Sequence, residues 1–349
     1  MRSNQIIIAF IFLILLYSGL RAQDYTKGNA VPLFSAHEIL NVSLRADFKS
    51  ILDDVGDDRR EHLAFLEYAD GNDTLVFNIK IETRGNFRRD PENCAFPPLR
   101  INFKKSQVKG SIFEGLDKVK LVTHCRPKSR AYRQYVMGEY LVYRVFNILT
   151  DTSFRVRPFN ISYVDVPSGK RSEESFAFFI EPDDALEDRL ELEETKQKYF
   201  LQDSTRYDHV SLLAMFQYFV GNTDWAVSTL HNIKLFKPEN SNRPYAIPYD
   251  FDWCGVINAV YARPLERFEI ESVSDRYFRG YCRTREQLEN QFDYFRSKKD
   301  EIYRLYENFE PLRKRQRRNA LAYYDDFYKS IQREELIRLE FMENCLGKN

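Results

Sequence analysis

The chain has 349 residues, with 52 Lys and Arg against 52 Asp and Glu, so its formal net charge is zero. That balance argues against a dedicated nucleic-acid binder, which shows a basic excess. With 43% hydrophobic and 15% aromatic residues, the chain can bury one large core or two lobes.

In chain order, the first segment reads as a signal peptide over residues 1–22. Arg2 gives a basic start, Ile6–Tyr17 is an unbroken apolar run, and Leu20-Arg-Ala22 supplies a small-residue end. The run has twelve residues, well short of the roughly 20 a spanning helix needs, so the mature chain is expected to carry no transmembrane segment. Cleavage near Ala22 would start the mature protein at Gln23, in a secreted or Gram-negative periplasmic setting. Loss of Arg2 and Arg21 leaves 50 basic against 52 acidic residues, a mature charge of −2. An uncleaved anchor is the rival reading. The five Cys show no C-x-x-C pair and no zinc-like Cys/His spacing. Proximity in sequence suggests Cys94–Cys125 and Cys254–Cys282 as bridges, with buried free thiols as the alternative.

The first half reads mainly as strand. His62–Ala69 and Thr74–Thr83 flank Asp70-Gly-Asn-Asp73, a hairpin turn signal. Pro98–Lys104 and Lys118–His124 alternate apolar and polar residues, as half-buried strands do. Ser129–Leu149 has apolar residues at three- and four-residue steps and is expected to be a helix. Phe154–Val164 and Ser175–Ile180 return to strand. Beyond a connector near Glu181–Asp184 the character turns helical, with helices expected over Asp208–Val220, Thr284–Phe309 and Arg317–Cys345, and Pro311 separating the last two. The basic run Arg313–Arg318 reads as a solvated stretch between them. The expected fold is α+β and two-lobed: a β-rich lobe over 23–182 with one long helix, then an α-rich lobe over 183–349.

Chemistry concentrates in two segments, Gly221–Asn232 and Pro248–Gly255. Between them, Ile233–Phe236 and Pro244–Pro248 surround a Pro/Asn/Ser-rich turn and read as a β-hairpin. A hairpin's two ends lie side by side, so Asn232 and Asp250 should meet at its open end, with Asp224 one loop earlier. Asp250 and Asp252, two residues apart, share a face in extended chain. Such hard oxygen donors suit Mg²⁺ (or Mn²⁺), which keeps waters and phosphates as its other ligands. There is no Walker-type phosphate loop. Phosphoryl transfer of the kinase kind needs a base, metal ligands, and a Lys held by a helix Glu. Asp224 is the candidate base, Asn232, Asp250 and Asp252 the metal ligands, and Lys120 the phosphate contact, with Glu139 nineteen residues further on in the following helix. The simpler readings are a cap for Asp224, ion pairs of Asp250 and Asp252 with Arg243 or Arg263, and a structural role for His231.

Four tracts resemble the CotH-type atypical kinases: Arg84-Gly-Asn-Phe-Arg-Arg89, Phe179-Ile-Glu181, His231-Asn232 and Pro248-Tyr-Asp-Phe-Asp252. The tracts Phe96-Pro-Pro-Leu-Arg100 and Lys120-Leu-Val-Thr-His-Cys125 are similar to those of a secreted Bacteroidetes branch of that group. The resemblance spans about Thr83–Gly255. It implies a kinase-like fold that binds ATP and Mg²⁺, with Arg84 and Glu181 joining Lys120 and Glu139 around the nucleotide. The acceptor it implies is unknown, an envelope protein or a small molecule. Two departures stand out. Seven residues separate Asp224 from Asn232, where ordinary protein kinases have four. A Lys pair common after the Arg-Gly-Asn tract is replaced by Pro97-Pro98, which leaves Arg84, Arg100 and Lys104 as rivals to Lys120. Two other functions are compatible with these residues: an AMP transferase on the same fold, and a catalytically inactive kinase-like envelope binding module.

Overall fold

A computed structural model describes residues 30–71 and 73–347, and the predicted signal peptide lies outside them. The fold is α+β. Seven strands close into a barrel: β1 (Leu40–Ala46), β2 (His62–Asp70), β3 (Asp73–Thr83), β4 (Leu99–Phe103), β5 (Lys118–Val122), β6 (Val156–Asp165) and β7 (Ser175–Ile180). Their order is β1-β2-β3-β4-β5-β7-β6. Every neighbouring pair is antiparallel except β1 and β6, whose parallel pairing (Asn41 opposite Asn160) closes the ring. The short α1 (Phe48–Asp53) and α2 (Lys105–Val108) lie in barrel connections. A two-lobed plan does not by itself call for this closure, and β1 was not expected, although its Leu40, Val42, Leu44 and Ala46 alternate as a strand should.

The helical part comprises α3 (Arg130–Leu149), α4 (Asp183–Leu190), α5 (Tyr207–Val220), α6 (Arg285–Glu307), α7 (Lys314–Ser330) and α8 (Glu334–Ile337), which runs into a π-helical turn at Arg338–Glu343. A small sheet of order β10-β9-β8 joins β8 (Glu193–Thr195), β9 (Ile233–Lys237) and β10 (Tyr245–Pro248). The expected single helix over Arg317–Cys345 is therefore broken near Ile331, whose side chain is buried in the helical core. The basic run Arg313–Arg318 caps and starts α7 instead of forming a free connector.

Two cores meet at β7, whose six residues are all buried. Ala177 and Phe179 face the barrel interior with Leu44, Ile81, Leu99 and Leu121. Phe176, Phe178 and Ile180 face α3, α5 and the helical layer. The period of two sends alternate side chains to opposite faces, and a strand buried on both reads as a continuous apolar run.

Two disulfides are present, Cys94–Cys125 and Cys282–Cys345. The first matches the sequence expectation. The second replaces Cys254–Cys282, because Cys254 is a free thiol buried beside Phe251. No helix among the described residues is long and apolar enough to cross a membrane.

Candidate functional site

The Asp224 loop starts where α5 ends. Gly221 takes a left-handed φ of 68°, and its N–H and that of Asn222 return to carbonyls of the last helical turn. Asn222 Oδ1 then accepts the Asp224 N–H at 2.9 Å. The seven-residue stretch between Asp224 and Asn232 folds onto itself through an antiparallel bridge between Ala226 and His231. Asp224 and Asn232 therefore lie together despite their spacing. Asn232 Nδ2 donates to the Asp224 carbonyl at 2.8 Å and to Asp224 Oδ2 at 3.0 Å, and His231 Nε2 meets Oδ1 at 2.6 Å. His231 thus positions Asp224, in keeping with a structural role. Arg279 braces the loop from behind, donating to the Thr223 carbonyl at 2.8 Å and also to that of Trp225.

The predicted hairpin is β9–β10, with Pro248 opposite Ile233, and the Tyr249 N–H donates to the Asn232 carbonyl at 3.1 Å. Asp250 is the next residue, so the backbones of Asn232 and Asp250 lie side by side at the open end. Both have positive φ, 51° for Asn232 and 62° for Asp250, a conformation that Asn and Asp tolerate better than other side chains. Tyr143 of α3 accepts the Asp250 N–H at 2.9 Å, and the Phe251 ring packs at 4.6 Å from the Tyr143 ring. Helix α3 thereby fixes the segment that carries both carboxylates.

Asp250 and Asp252 are separated by burial. The Asp250 side chain is 45% exposed, whereas that of Asp252 is 9% exposed. The expected partners Arg243 and Arg263 are not the ones used. Arg88, in the turn Phe87–Arg89, lies 3.6 Å from Asp250, 3.6 Å from Asp252 and 3.8 Å from Glu139. Burial opposes the Arg88 charge, but Asp252, Glu139 and Asp250 hold its guanidinium protonated, with its pKa raised. Burial pushes the Asp252 carboxyl up, against the pull of Arg88, and Tyr261 hydrogen-bonds to it. Burial likewise raises Glu139, whose Oε1 has no hydrogen-bond partner.

Glu139 therefore pairs with Arg88 and not with Lys120 as the spacing suggested. Lys120 lies on β5 opposite Ile180, its ammonium 5.2 Å from the Tyr249 ring centroid. Burial pushes its pKa down to about 8, partly offset by Asp183 and aggravated by Arg84 and Lys234. Lys234 of β9 takes the carboxylates, pairing with Asp183 and, at 3.1 Å, with Glu194. Arg84 is also held down by burial, with Asp250 as its largest stabilising charge, and its Nε is buried without a partner. Of the rivals, Arg100 is tied to Glu82 at 2.7 Å, and Lys104 is exposed just before α2. Glu181 is fully engaged by Arg189, which donates to both its oxygens at 2.8 and 2.7 Å. Its carboxylate is thus committed to the connector.

For a divalent ion, the donors divide in two. No group of three or more His, Cys, Asp or Glu among the described residues is arranged to hold a metal. Asn232, however, turns its amide N–H to the Asp224 carbonyl, which leaves its Oδ1 as an acceptor, and the half-exposed Asp250 follows Tyr249, whose N–H donates to the Asn232 carbonyl. That pair fits an ion that brings phosphate and water as its remaining ligands, not a cage made of protein alone. Asp252 instead faces Arg88 and Tyr261.

Sequence reasoning missed Arg88, Tyr143, Lys234 and Arg279. The Arg84–Arg89 tract was singled out, yet which of its arginines turns inward depends on the 3-10 turn at Phe87–Arg89, and no local signal marks that. No known protein-family model and no curated protein matches this chain.

Proposed function

We propose that this chain is an atypical kinase-like phosphotransferase that moves the γ-phosphoryl group of Mg²⁺·ATP to an acceptor hydroxyl. The observation that carries this reading is a pair of cations without counter-ions within reach of the Asp250 charge. Lys120 and Arg84 are partly buried cations with no carboxylate within ion-pair distance among the described residues, and Arg84 Nε is buried without a partner. Asp250 is close enough to act on the charge of both, and Asn232 and Asp224 join Asp250 through the backbone of the hairpin end. Partly buried cations without counter-ions are stabilised by an anionic ligand, and a polyphosphate supplies one.

The order of parts also supports it. A strand carries Lys120, a helix carries Glu139, a connector holds Glu181, and Asp224 and Asn232 precede a hairpin that ends at Asp250. Protein kinases distribute their Lys, Glu, base and metal ligands in that order. On this reading, the described residues up to 182 form a small lobe and those from 183 a large one, with the nucleotide between β5 and the β9–β10 hairpin. Arg84 and Lys120 hold phosphate oxygens. Asn232 and Asp250 would hold the Mg²⁺ or Mn²⁺, whose charge offsets that of the phosphates when bound. Asp224, oriented by His231 and Asn232, takes the acceptor proton as the acceptor oxygen bonds to the γ-phosphorus. The bond from that phosphorus to the bridging oxygen breaks, and ADP leaves.

A second reading is a kinase-like binding module on the envelope that takes up nucleotide without transfer. It is favoured by the absence of a Lys120–Glu139 ion pair, since Glu139 is held by Arg88. Labelled ATP separates the two. Transfer of γ-label to envelope extracts or to the protein itself, falling about 10²–10⁴-fold in Asp224→Ala with nucleotide affinity kept, supports the kinase. Equal transfer by the variant refutes the base, α-label transfer identifies an AMP transferase, and binding without transfer leaves the module.

A further inference from the structure

Among the described residues, Arg88 is the one buried cation that lies within 4 Å of three carboxylates at once. Glu139 and Asp252 are buried beside it, and Asp250 opens to the site. Each separation, 3.6 to 3.8 Å, is longer than a hydrogen bond, so the guanidinium acts as a charge among the acids, not as a fork on any single one. Three carboxylates this close cannot all remain ionised without a cation or protons. Glu139 Oε1, buried and unpartnered, shows that the cluster is not satisfied by hydrogen bonds.

The position of Arg88 is set by the fold. Its turn is pinned to the segment after Asp252 by the Phe87 ring, 6.0 Å from the Trp253 ring and 6.4 Å from that of Tyr261. Downstream, the Cys94–Cys125 bridge ties the same loop to the chain just after β5. The guanidinium is thus in place before any ligand arrives.

We propose that Arg88 is a built-in cation standing for a second metal ion: it fills the space among Glu139, Asp250 and Asp252, so that the centre takes up one divalent ion, with the nucleotide, at Asn232 and Asp250. This rests on the kinase-like reading above, in which protein kinases hold two ions, on the Asp after the hairpin and on the loop Asn. Arg88 is a positioning residue, since it acts through Asp250.

The test counts Mn²⁺ by electron paramagnetic resonance in the full-length protein, with and without ADP. The parent should bind no Mn²⁺ tightly alone and one per chain with ADP. Arg88→Ala removes the positive charge beside Asp250 that repels a divalent ion and should bind Mn²⁺ without nucleotide at least about tenfold more tightly than the parent. Arg88→Lys, which keeps the charge, should behave as the parent. Two Mn²⁺ per parent chain with ADP overturn the proposal, and this arm needs no variant to fold. Nucleotide-free Arg88→Ala that binds Mn²⁺ no better than the parent also overturns it. If the parent fails to bind ADP, the kinase-like reading fails, while the nucleotide-free comparison of parent and Arg88→Ala still decides whether Arg88 occupies a cation site.

Discussion

The roots of the two site segments are locked together at Gly221 and Gly255, and replacing either glycine tests that lock. The Gly255 N–H donates to the Gly221 carbonyl at 2.9 Å, and Val256 N–H to the Val220 carbonyl at 3.1 Å. Tyr323 of α7 closes over both, its hydroxyl donating to the Ser274 carbonyl at 3.0 Å. A Cβ on Gly255 would lie 2.6 Å from the Tyr323 hydroxyl, 2.8 Å from the Val273 carbonyl oxygen and 3.1 Å from Ser274 Cα. The last two are backbone and cannot swing away. Gly255→Ala should therefore cost about 1–3 kcal/mol, the usual range for overpacking. A Cβ on Gly221 would collide with the Tyr323 hydroxyl, and its φ of +68° adds a left-handed penalty of about 1–2 kcal/mol. The two sites should then respond differently to Tyr323→Phe. Removing the hydroxyl takes away the worst of the Gly221→Ala contacts and leaves the left-handed term with tight contacts to the Tyr323 ring carbon at 3.0 Å and to Gly255 Cα at 3.3 Å. It leaves most of the Gly255→Ala cost, because Val273 and Ser274 remain. Urea unfolding of the two double-mutant cycles, with the disulfides kept oxidised, measures the coupling. Equal rescue of both alanine variants by Tyr323→Phe would refute the reasoning, as would a Gly255→Ala cost below about 0.5 kcal/mol.

Two other predictions concern charge. Arg189→Met leaves the Glu181 carboxylate buried without its bidentate partner and should lower stability by about 3–5 kcal/mol, while the double variant with Glu181→Leu should recover much of this, as read by urea midpoints. The Lys120 ammonium has its pKa lowered from 10.5 to about 8, so between those values the unfolded chain holds a proton that the native chain has released. That contribution to stability rises with pH through this window and is at its most unfavourable below about pH 8. Lys120→Met should hence be more stable than the parent at pH 7, with the gap narrowing towards pH 10.5. A gap that is flat with pH contradicts the burial of an unpaired Lys120.

What could be read from the sequence was local. The Pro/Asn/Ser-rich turn marked the β9–β10 hairpin, and a hairpin obliges its ends to meet, so the approach of Asn232 to Asp250 followed from turn chemistry alone. The α3 and α5 stripes and the β7 run were equally plain, because burial imposes a period on the side chains. Closure of the barrel was not legible. It depends on the parallel pairing of Asn41 with Asn160, more than a hundred residues away, which no local pattern encodes. The partner of Glu139 was misread for a similar reason. Spacing allowed Lys120 to reach it, but the turn at Phe87–Arg89 inserts Arg88 first, leaving Lys120 beside Tyr249. The break near Ile331 lacks a Pro or Gly to announce it, and the side chain at the helix end is buried in the core. Arg189 showed no sign of its importance, since an Arg in an acidic helix reads as solvated surface until Glu181 is seen beneath it.

The central claim is that Lys120 and Arg84 face Asp250 and Asn232 across a nucleotide site that needs a divalent ion. The most direct measurement is calorimetric titration of Mg²⁺·ATP into the parent, Asp250→Asn and Lys120→Ala, each repeated with the metal chelated. The account predicts saturable binding by the parent that is lost on chelation, and strong weakening in both variants without loss of fold. Parent binding that survives chelation, or Asp250→Asn that binds Mg²⁺·ATP as tightly as the parent, would contradict it.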